Sequence, residues 1–158
     1  MAITILVATE ENYRDVNDIV KEGHEEHVEA EPSIFKSVEA VMPISYYKEL
    51  IESDTSEILI AKEDDMVVGF AVISIEAAPP FHSLVQRKFA YIHDFGVKNA
   101  HQRKGIGKLL FEACVAWAKE REAPSIELNV WEFNAKAIDF YEQLDMTTAS
   151  RKMVLQIE

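Results

Sequence analysis

Apolar and polar positions follow two periods along the chain, and each period predicts a type of element. Short segments rich in β-branched residues, with apolar side chains at alternate positions, predict strands. Six segments have this character: 3–8, 58–62, 66–75, 87–97, 125–131 and 150–157. Apolar residues three or four positions apart predict helices over 11–30, 45–53, 106–121 and 134–144. Gly23 is a candidate break in the first helix, and residues 63–65 are the predicted hairpin turn.

The order of these elements shows no internal division. The 158 residues contain no repeat, low-complexity tract or linker. A chain of this length is enough for one domain with a sizeable core. We therefore expect a single domain over 1–158.

Charge and cysteine content narrow the classes of partner. The chain has 28 acidic against 16 basic residues, a net charge of −12. Nucleic-acid binding requires a basic face and is not expected. An acidic surface instead attracts a cationic small molecule or a basic peptide. Cys114 is the one cysteine, which excludes an intrachain disulfide.

Membrane and metal partners are not expected either. No apolar run is long enough to span a bilayer, and the first residues, MAITILVATEEN, lack the basic start of a signal peptide. A reduced, cytoplasmic location is the expectation. His24 and His27 are three rather than four residues apart, and no third metal ligand is evident.

The segment 101–110, HQRKGIGKLL, surrounds two glycines with basic side chains where a predicted strand gives way to a helix. Such glycine spacing also occurs by chance in ordinary loops. The N–H groups at a helix N-terminus form an anion site, which the helix dipole favours further. The glycines let the main chain approach a ligand, and Arg103, Lys104 and Lys108 supply positive charge. A phosphate or pyrophosphate is the predicted ligand.

Two common nucleotide-binding patterns do not fit this segment. The triphosphate loop ends in Gly-Lys-Ser/Thr, whereas Lys108 is followed by Leu109. The dinucleotide pattern has three spaced glycines. Residues 102–107, QRKGIG, instead resemble the Gln/Arg-x-x-Gly-x-Gly/Ala signature of the GNAT superfamily of N-acetyltransferases.

The resemblance extends over residues 89–146. AYIHDFGV resembles the family's fourth strand, and IELNVWEFNAKAIDFYEQLDM resembles its fifth strand and the following helix. Asp145 and Met146 stand where the family usually has Gly and Phe, so the turn after that helix is expected to differ. Asn129 stands where some protein-acetylating members have a catalytic Glu.

The resemblance implies an α/β (mixed α+β) fold. Its mostly antiparallel central sheet of six to seven strands would split between strands four and five, with helices on both faces. It also implies acetyl-CoA as co-substrate and no metal. Gly96 fits a bulge in the fourth strand, where the main chain approaches a ligand. Coenzyme-binding residues are then expected at Phe95 and Val97, through their backbones, and at Gln102, Arg103, Lys104, Gly105, Ile106, Gly107, Lys108, Asn134 and Tyr141.

The implied reaction is direct acetyl transfer to a primary amine in a ternary complex. Cys114 is predicted mid-helix on the apolar face, a poor setting for a nucleophile. Tyr141 is either the general acid beside the coenzyme sulfur or a core aromatic. His93, with Tyr91 on the same strand face, is either the base or a structural histidine. Asp94 is expected to point the opposite way and to be structural.

The residues that would bind the acceptor amine are the part of the site that the sequence defines least. His24, His27 and Trp131 are candidate acceptor-binding residues, with a solvated helix end and a buried aromatic pair as the alternatives. Glu132 is a further candidate and a second-line base. A small cationic amine or a peptide amine is the expected acceptor, and the resemblance leaves a homodimer open. The rival reading is a non-catalytic coenzyme-A-binding regulatory module.

Overall fold

The computed structural model describes residues 2–157, and its centre is one five-stranded sheet in the order β1-β2-β3-β4-β5. Strands β1 to β4 are antiparallel to their neighbours, and β5 is parallel to β4. Four of the predicted strands form at nearly their predicted positions. The strands are β1 Ile3–Val7, β2 Ser56–Glu63, β3 Met66–Ala77, β4 Lys88–Val97 and β5 Ile126–Leu128.

Helices cover both faces of the sheet, as expected. They are α1 Tyr13–Ala30, α2 Ile44–Glu52, α3 Ile106–Glu120 and α4 Ala135–Gln143. Helices α1 and α2 bury their apolar faces with one set of sheet side chains, around Tyr47 and Phe70. Helix α3 packs on the other face around Leu110 and Cys114. Helix α1 is continuous through Gly23, so the candidate break is wrong.

Strand β4 contains a bulge, and it parts from β5 just there. Ile92 pairs with Ile73 and Asp94 with Val72, so His93 is the extra residue that has no partner on β3. Pairing with β5 ends at Ile92, although β4 continues to Val97. A bulge bends its strand and increases the local twist. The sheet therefore splits between β4 and β5, as expected.

Two strand predictions are wrong, and both concern this edge of the sheet. The fifth strand ends at Leu128 rather than at residue 131 because β4 turns away from it there. Residues 150–157 form no strand among the described residues, so the sheet has five strands rather than six or seven. Alternating side chains favour an extended chain, but a strand also requires a neighbour for its backbone hydrogen bonds.

Within residues 2–157, no helix combines the length and apolarity that crossing a membrane requires.

Candidate active site

A cavity of about 730 Å³ opens where β4 and β5 part. Its walls come from α1, the second half of β4, the N-terminus of α3, and the chain from Asn129 into α4. Pockets for small ligands typically have volumes of about 300–1,000 Å³. The predicted site residues that line it are His24, His27, His93, Phe95, Val97, Gln102, Arg103, Gly105, Gly107, Lys108, Trp131, Asn134 and Tyr141.

The N-terminus of α3 forms one end of this cavity. Leu109 donates the first backbone hydrogen bond of the helix, to the Gly105 carbonyl at 3.1 Å. The three amides before it are those that an α-helix leaves without an internal partner. Gly105 has a φ of +81°, and open space lies where a side chain would project. This conformation favours glycine and keeps the helix N-terminus accessible.

Neighbouring contacts hold the turn before α3 in place. The Gln102 side chain donates to the Val97 carbonyl at 3.0 Å and also contacts the ammonium group of Lys136. His101 Nδ1 lies 2.9 Å from the carboxylate of buried Glu63 on β2. These contacts fix an accessible helix terminus next to exposed cationic side chains, which suits a phosphate group.

Two glycines in the site are explained by packing. A Cβ on Gly107 would lie 3.1 Å from the Phe140 ring, so this glycine lets α3 approach α4 closely. A Cβ on Gly96 would lie 3.0 Å from the Phe70 ring. Gly96 is in regular register opposite Phe70, so its predicted bulge is wrong; the bulge lies at His93.

The bulge also overturns the expected direction of Asp94. Without it, Asp94 would face away from His93. The extra residue instead makes Asp94 the partner of Val72. Val72 and Ser74 project from the same face of β3, and the Ser74 hydroxyl contacts His93. Asp94 and His93 therefore lie on the same face of the sheet. Asp94 lines the cavity and accepts a hydrogen bond from the Phe95 N–H at 3.0 Å. Burial raises the pKa of Asp94 to about 6, although that hydrogen bond acts in the opposite direction.

His93 and Tyr91 lie side by side as predicted, with ring centroids 4.8 Å apart. Both polar groups have partners in the protein. His93 Nε2 is 2.7 Å from the hydroxyl of Ser74, and the Asn129 amide donates to the Tyr91 hydroxyl at 2.6 Å. Asn129 therefore holds the Tyr91 hydroxyl in place.

Tyr141 both lines the cavity and packs in an aromatic cluster. Its ring centroid lies 5.2 Å from that of Phe140 and 6.1 Å from that of Phe95. Burial raises the pKa of Tyr141, and the negative charge of Asp94 raises it further. The hydroxyl therefore keeps its proton at neutral pH.

Asn134 caps α4 by accepting from the Ala137 N–H at 3.1 Å.

A group of rings lies where His27 and Trp131 line the cavity, and we call this group the aromatic end. Phe35, from the loop after α1, contacts His27 and Trp131 with centroids 5.2 Å apart in each case. Phe133 stacks on Trp131 and touches His27. His24 Nε2 donates to the Lys36 carbonyl at 2.7 Å, which holds the Phe35 loop against α1. Burial lowers the pKa of His27.

Four predicted site residues lie outside the cavity lining. Glu132 is exposed and paired with Arg151 at 3.1 Å. The Ile106 side chain is buried in the core, so only the backbone amide of this residue is available at the N-terminus of α3. Lys104 is exposed on the turn, and the Tyr91 ring packs beside that of His93.

Sequence reasoning missed Asp94, Lys136 and Phe140. For Lys136, its position two residues after the Asn134 cap was an available signal. For Asp94 there was none, because strand alternation places it on the wrong face. Among residues 2–157, no group of three or more His, Cys, Asp or Glu side chains could hold a metal ion.

A family model and two related sequences all point to the same family of acetyltransferases. A sequence model described as the Acetyltransferase (GNAT) family matches residues 20–146. An L-ornithine N5-acetyltransferase of Arabidopsis thaliana is 32% identical over 93 residues, 59% of this chain and 40% of that protein. An uncharacterized N-acetyltransferase of Archaeoglobus fulgidus is 29% identical over 102 residues, 65% of this chain and 67% of that protein. The chain thus matches between 40% and 67% of the length of these relatives.

A solved structure matches the whole fold. A mutant of the BH1408 protein from Bacillus halodurans superimposes with a TM-score of 0.95 at 31% identity. The match covers 98% of this chain and 99% of that one. The architecture described above therefore has a close solved counterpart.

Proposed function

The chain belongs to the acetyltransferase (GNAT) family, and we propose that it moves the acetyl group of acetyl-CoA to a primary amine. A single observation carries this proposal. One cavity joins the N-terminus of α3 to a carboxylate of raised pKa, Asp94, and to a tyrosine hydroxyl, Tyr141. Anion binding, a proton acceptor and a proton donor are what acetyl transfer from a pyrophosphate-bearing thioester needs.

The α3 end of the cavity fits the pyrophosphate. The amides of residues 106–108 supply N–H donors, and Arg103 and Lys108 supply charge. Lys136 adds a third cation on the α4 side. Beyond Ile92 the edge of β4 has no neighbouring strand, which supports backbone binding of the pantetheine arm there. The coenzyme, when bound, supplies the activated acetyl group.

Two residues complete the proton transfers. An aliphatic ammonium has a reference pKa of about 10.4, so the acceptor must lose a proton before attack. Asp94 is the proposed base, since a pKa of about 6 leaves it ionised and still basic near neutral pH. As the C–N bond forms and the C–S bond breaks, Tyr141 gives its phenolic proton to the departing sulfur.

The charge along the cavity supports a cationic acceptor. Three carboxylates line the cavity and can pair with an ammonium group: Glu26 on α1, Asp94 on β4 and Asp139 on α4. The aromatic end adds ring faces, which attract ammonium groups. The Arabidopsis relative is named for L-ornithine, an amino acid with a side-chain amine. A small diamine or a peptide amine bearing a second cation fits this arrangement.

The proposed activity is tested by incubating the chain with acetyl-CoA and a panel of amines while measuring release of free thiol. Cys114 is the one cysteine of the chain and is buried, so we expect it to add little to the signal of a thiol-specific reagent. We expect a diamine to react faster than its monoamine counterpart, and added salt to raise its KM. Tight coenzyme binding without thiol release for any amine would instead identify a non-catalytic coenzyme-binding module.

Binding of the coenzyme at α3 is tested separately with Gly105→Asp. Aspartate tolerates positive φ better than most residues, and its carboxylate would occupy the anion site. Acetyl-CoA affinity, measured by calorimetry, should fall more than tenfold, or by over about 1.4 kcal/mol. Ala116→Asp places the same charge on an exposed position of α3, away from the cavity, and should bind normally. Equal affinities for the two variants would show that the pyrophosphate does not bind at this turn.

A further inference from the structure

The carboxylate of Glu63 is buried outside the cavity, beside the N-terminus of α3. Glu63 is the last residue of β2, is 8% exposed and does not line the cavity. Strand alternation places it on the same face as Ala61, which shares an apolar cluster with Ile106, the first residue of α3. A buried charge costs free energy unless a partner compensates for it. A carboxylate among these apolar neighbours therefore needs a partner.

That partner is His101, from the turn before α3. Its Nδ1 lies 2.9 Å from the Glu63 carboxylate, and its side chain is 19% exposed. Because a carboxylate only accepts, Nδ1 donates the hydrogen. Hydrogen bonds to an ionised group are stronger than those between neutral groups, and shelter from water strengthens them further. The pair therefore ties the turn to the end of β2.

Other side-chain contacts of the turn are more exposed or more local. The Asn99 N–H donates to the Glu22 carboxylate, and the Gln102 amide donates to the Asn99 side chain; both contacts are exposed. Water competes for such exposed hydrogen bonds. The Gln102 bond to the Val97 carbonyl is partly buried, but it joins the turn only to the strand that leads into it. The contact of His101 with Glu63 is a sheltered one to a different strand.

The turn needs such a tie because its backbone conformation is unfavourable. Arg103, two residues after His101, has a φ of +65°, and Gly105 has a φ of +81°. A left-handed conformation costs free energy at any residue other than glycine, and it persists where surrounding contacts impose it. Arg103 and Gly105 both line the cavity at the site proposed for the pyrophosphate.

We propose that Glu63, acting through His101, is a positioning residue for the coenzyme. It holds Arg103 and Gly105 in the conformation that binds the pyrophosphate of acetyl-CoA, so the inference rests on the proposed function. Neither Glu63 nor His101 lines the cavity, and both act through the turn. Buried charged residues can often be replaced by apolar ones of similar volume without loss of stability. The pair therefore serves binding rather than folding.

Glu63→Leu separates these two roles. Leucine suits the apolar surroundings of this position, so the melting temperature should not fall. The KM for acetyl-CoA should rise by roughly tenfold or more, because the turn is no longer preorganised. At saturating coenzyme kcat should stay close to that of the unmodified chain, since Asp94 and Tyr141 are untouched. Melting curves and steady-state rates with one amine measure all three. An unchanged KM in folded Glu63→Leu overturns the inference.

Two further variants distinguish positioning from a general weakening of the core. Glu63→Gln can still accept the hydrogen bond from His101 and should restore a KM close to that of the unmodified chain. Trp117→Phe is the matched control. The Trp117 ring N–H donates to Glu57 at 3.1 Å at the other end of α3, away from the cavity, so this variant also removes one ring donor from a carboxylate. It should leave the KM unchanged; a rise equal to that of Glu63→Leu would refute the positioning role.

Amide hydrogen exchange reports on the turn itself, in the absence of coenzyme. Residues 98–105 should exchange faster in Glu63→Leu than in the unmodified chain, whereas residues 110–120 of α3 should exchange equally, because only the turn loses its tie. Equal exchange of the turn overturns the inference and leaves the proposed function standing. Faster exchange of the turn, in a protein whose unmodified chain binds no acetyl-CoA, would instead overturn the proposed function and with it the coenzyme as the ligand of this turn.

Discussion

Replacing Asp94 with Asn is expected to lower kcat by about a hundredfold or more, the usual contribution of a general base. The amide keeps the size of the side chain and can still accept the Phe95 N–H, but it cannot take a proton. Because burial raises the pKa of Asp94 to about 6, kcat/KM of the unmodified chain should fall as the pH drops through 6. The Asn variant should show no acid limb there. Rates measured from pH 5 to 9 with one amine provide both readouts.

The same substitution should make the protein more stable. A carboxyl group whose folded pKa lies above its unfolded value of about 3.9 disfavours folding once it ionises. This cost is absent below about pH 4 and complete above about pH 6, where it is on the order of 1–3 kcal/mol. Asp94→Asn should therefore raise the free energy of unfolding at pH 7.5 and leave it unchanged at pH 4, as denaturant titrations can measure.

The control variant for Asp94 is His93→Gln. Glutamine can replace the hydrogen bond to Ser74, so the substitution removes the imidazole ring and keeps that contact. We expect little change in kcat and an unchanged pH profile. If His93→Gln removes the acid limb and Asp94→Asn does not, the base is His93, the residue that strand alternation alone favoured.

Tyr141→Phe is expected to lower kcat by about ten- to a hundredfold, the lower part of the range for general acids, because a thiolate is a good leaving group. Burial and the charge of Asp94 keep the hydroxyl protonated, so the loss should appear across the whole neutral range. The ring still packs against Phe95 and Phe140. Affinity for acetyl-CoA and the melting temperature should therefore be nearly unchanged.

Tyr13 provides a control that distinguishes the loss of a proton donor from the loss of a structural hydrogen bond. The Tyr13 hydroxyl donates to the Met42 carbonyl at 2.6 Å, away from the cavity. Tyr13→Phe should lower stability by about 1 kcal/mol through one lost hydrogen bond and leave kcat unaltered. If Tyr141→Phe behaves in the same way, Tyr141 is a packing residue and another group protonates the sulfur.

Much of the site followed from local sequence because its parts are local. The turn before α3 needs a glycine at positive φ, basic neighbours and a helix directly after it, and all three are adjacent in the chain. Asn134 and Tyr141 belong to one short helix, so their spacing alone set their common face. For the same reason the helices and the first four strands were predictable from their periods.

What local sequence did not determine depends on how strands meet. Strict alternation places Asp94 on the face of β4 opposite to His93. One extra residue at His93 turns every later side chain to the other face, so Asp94 lies on the same face as His93. That bulge exists only in the pairing of β4 with β3. It also parts β4 from β5, which shortens β5 and opens the cavity. Residues 150–157 have the pattern of a strand, yet a strand forms only where another chain segment satisfies its backbone groups. The sequence by itself therefore determined the elements and the anion-binding turn, whereas the tertiary structure decided which carboxylate faces the reaction and which predicted strand lacks a partner.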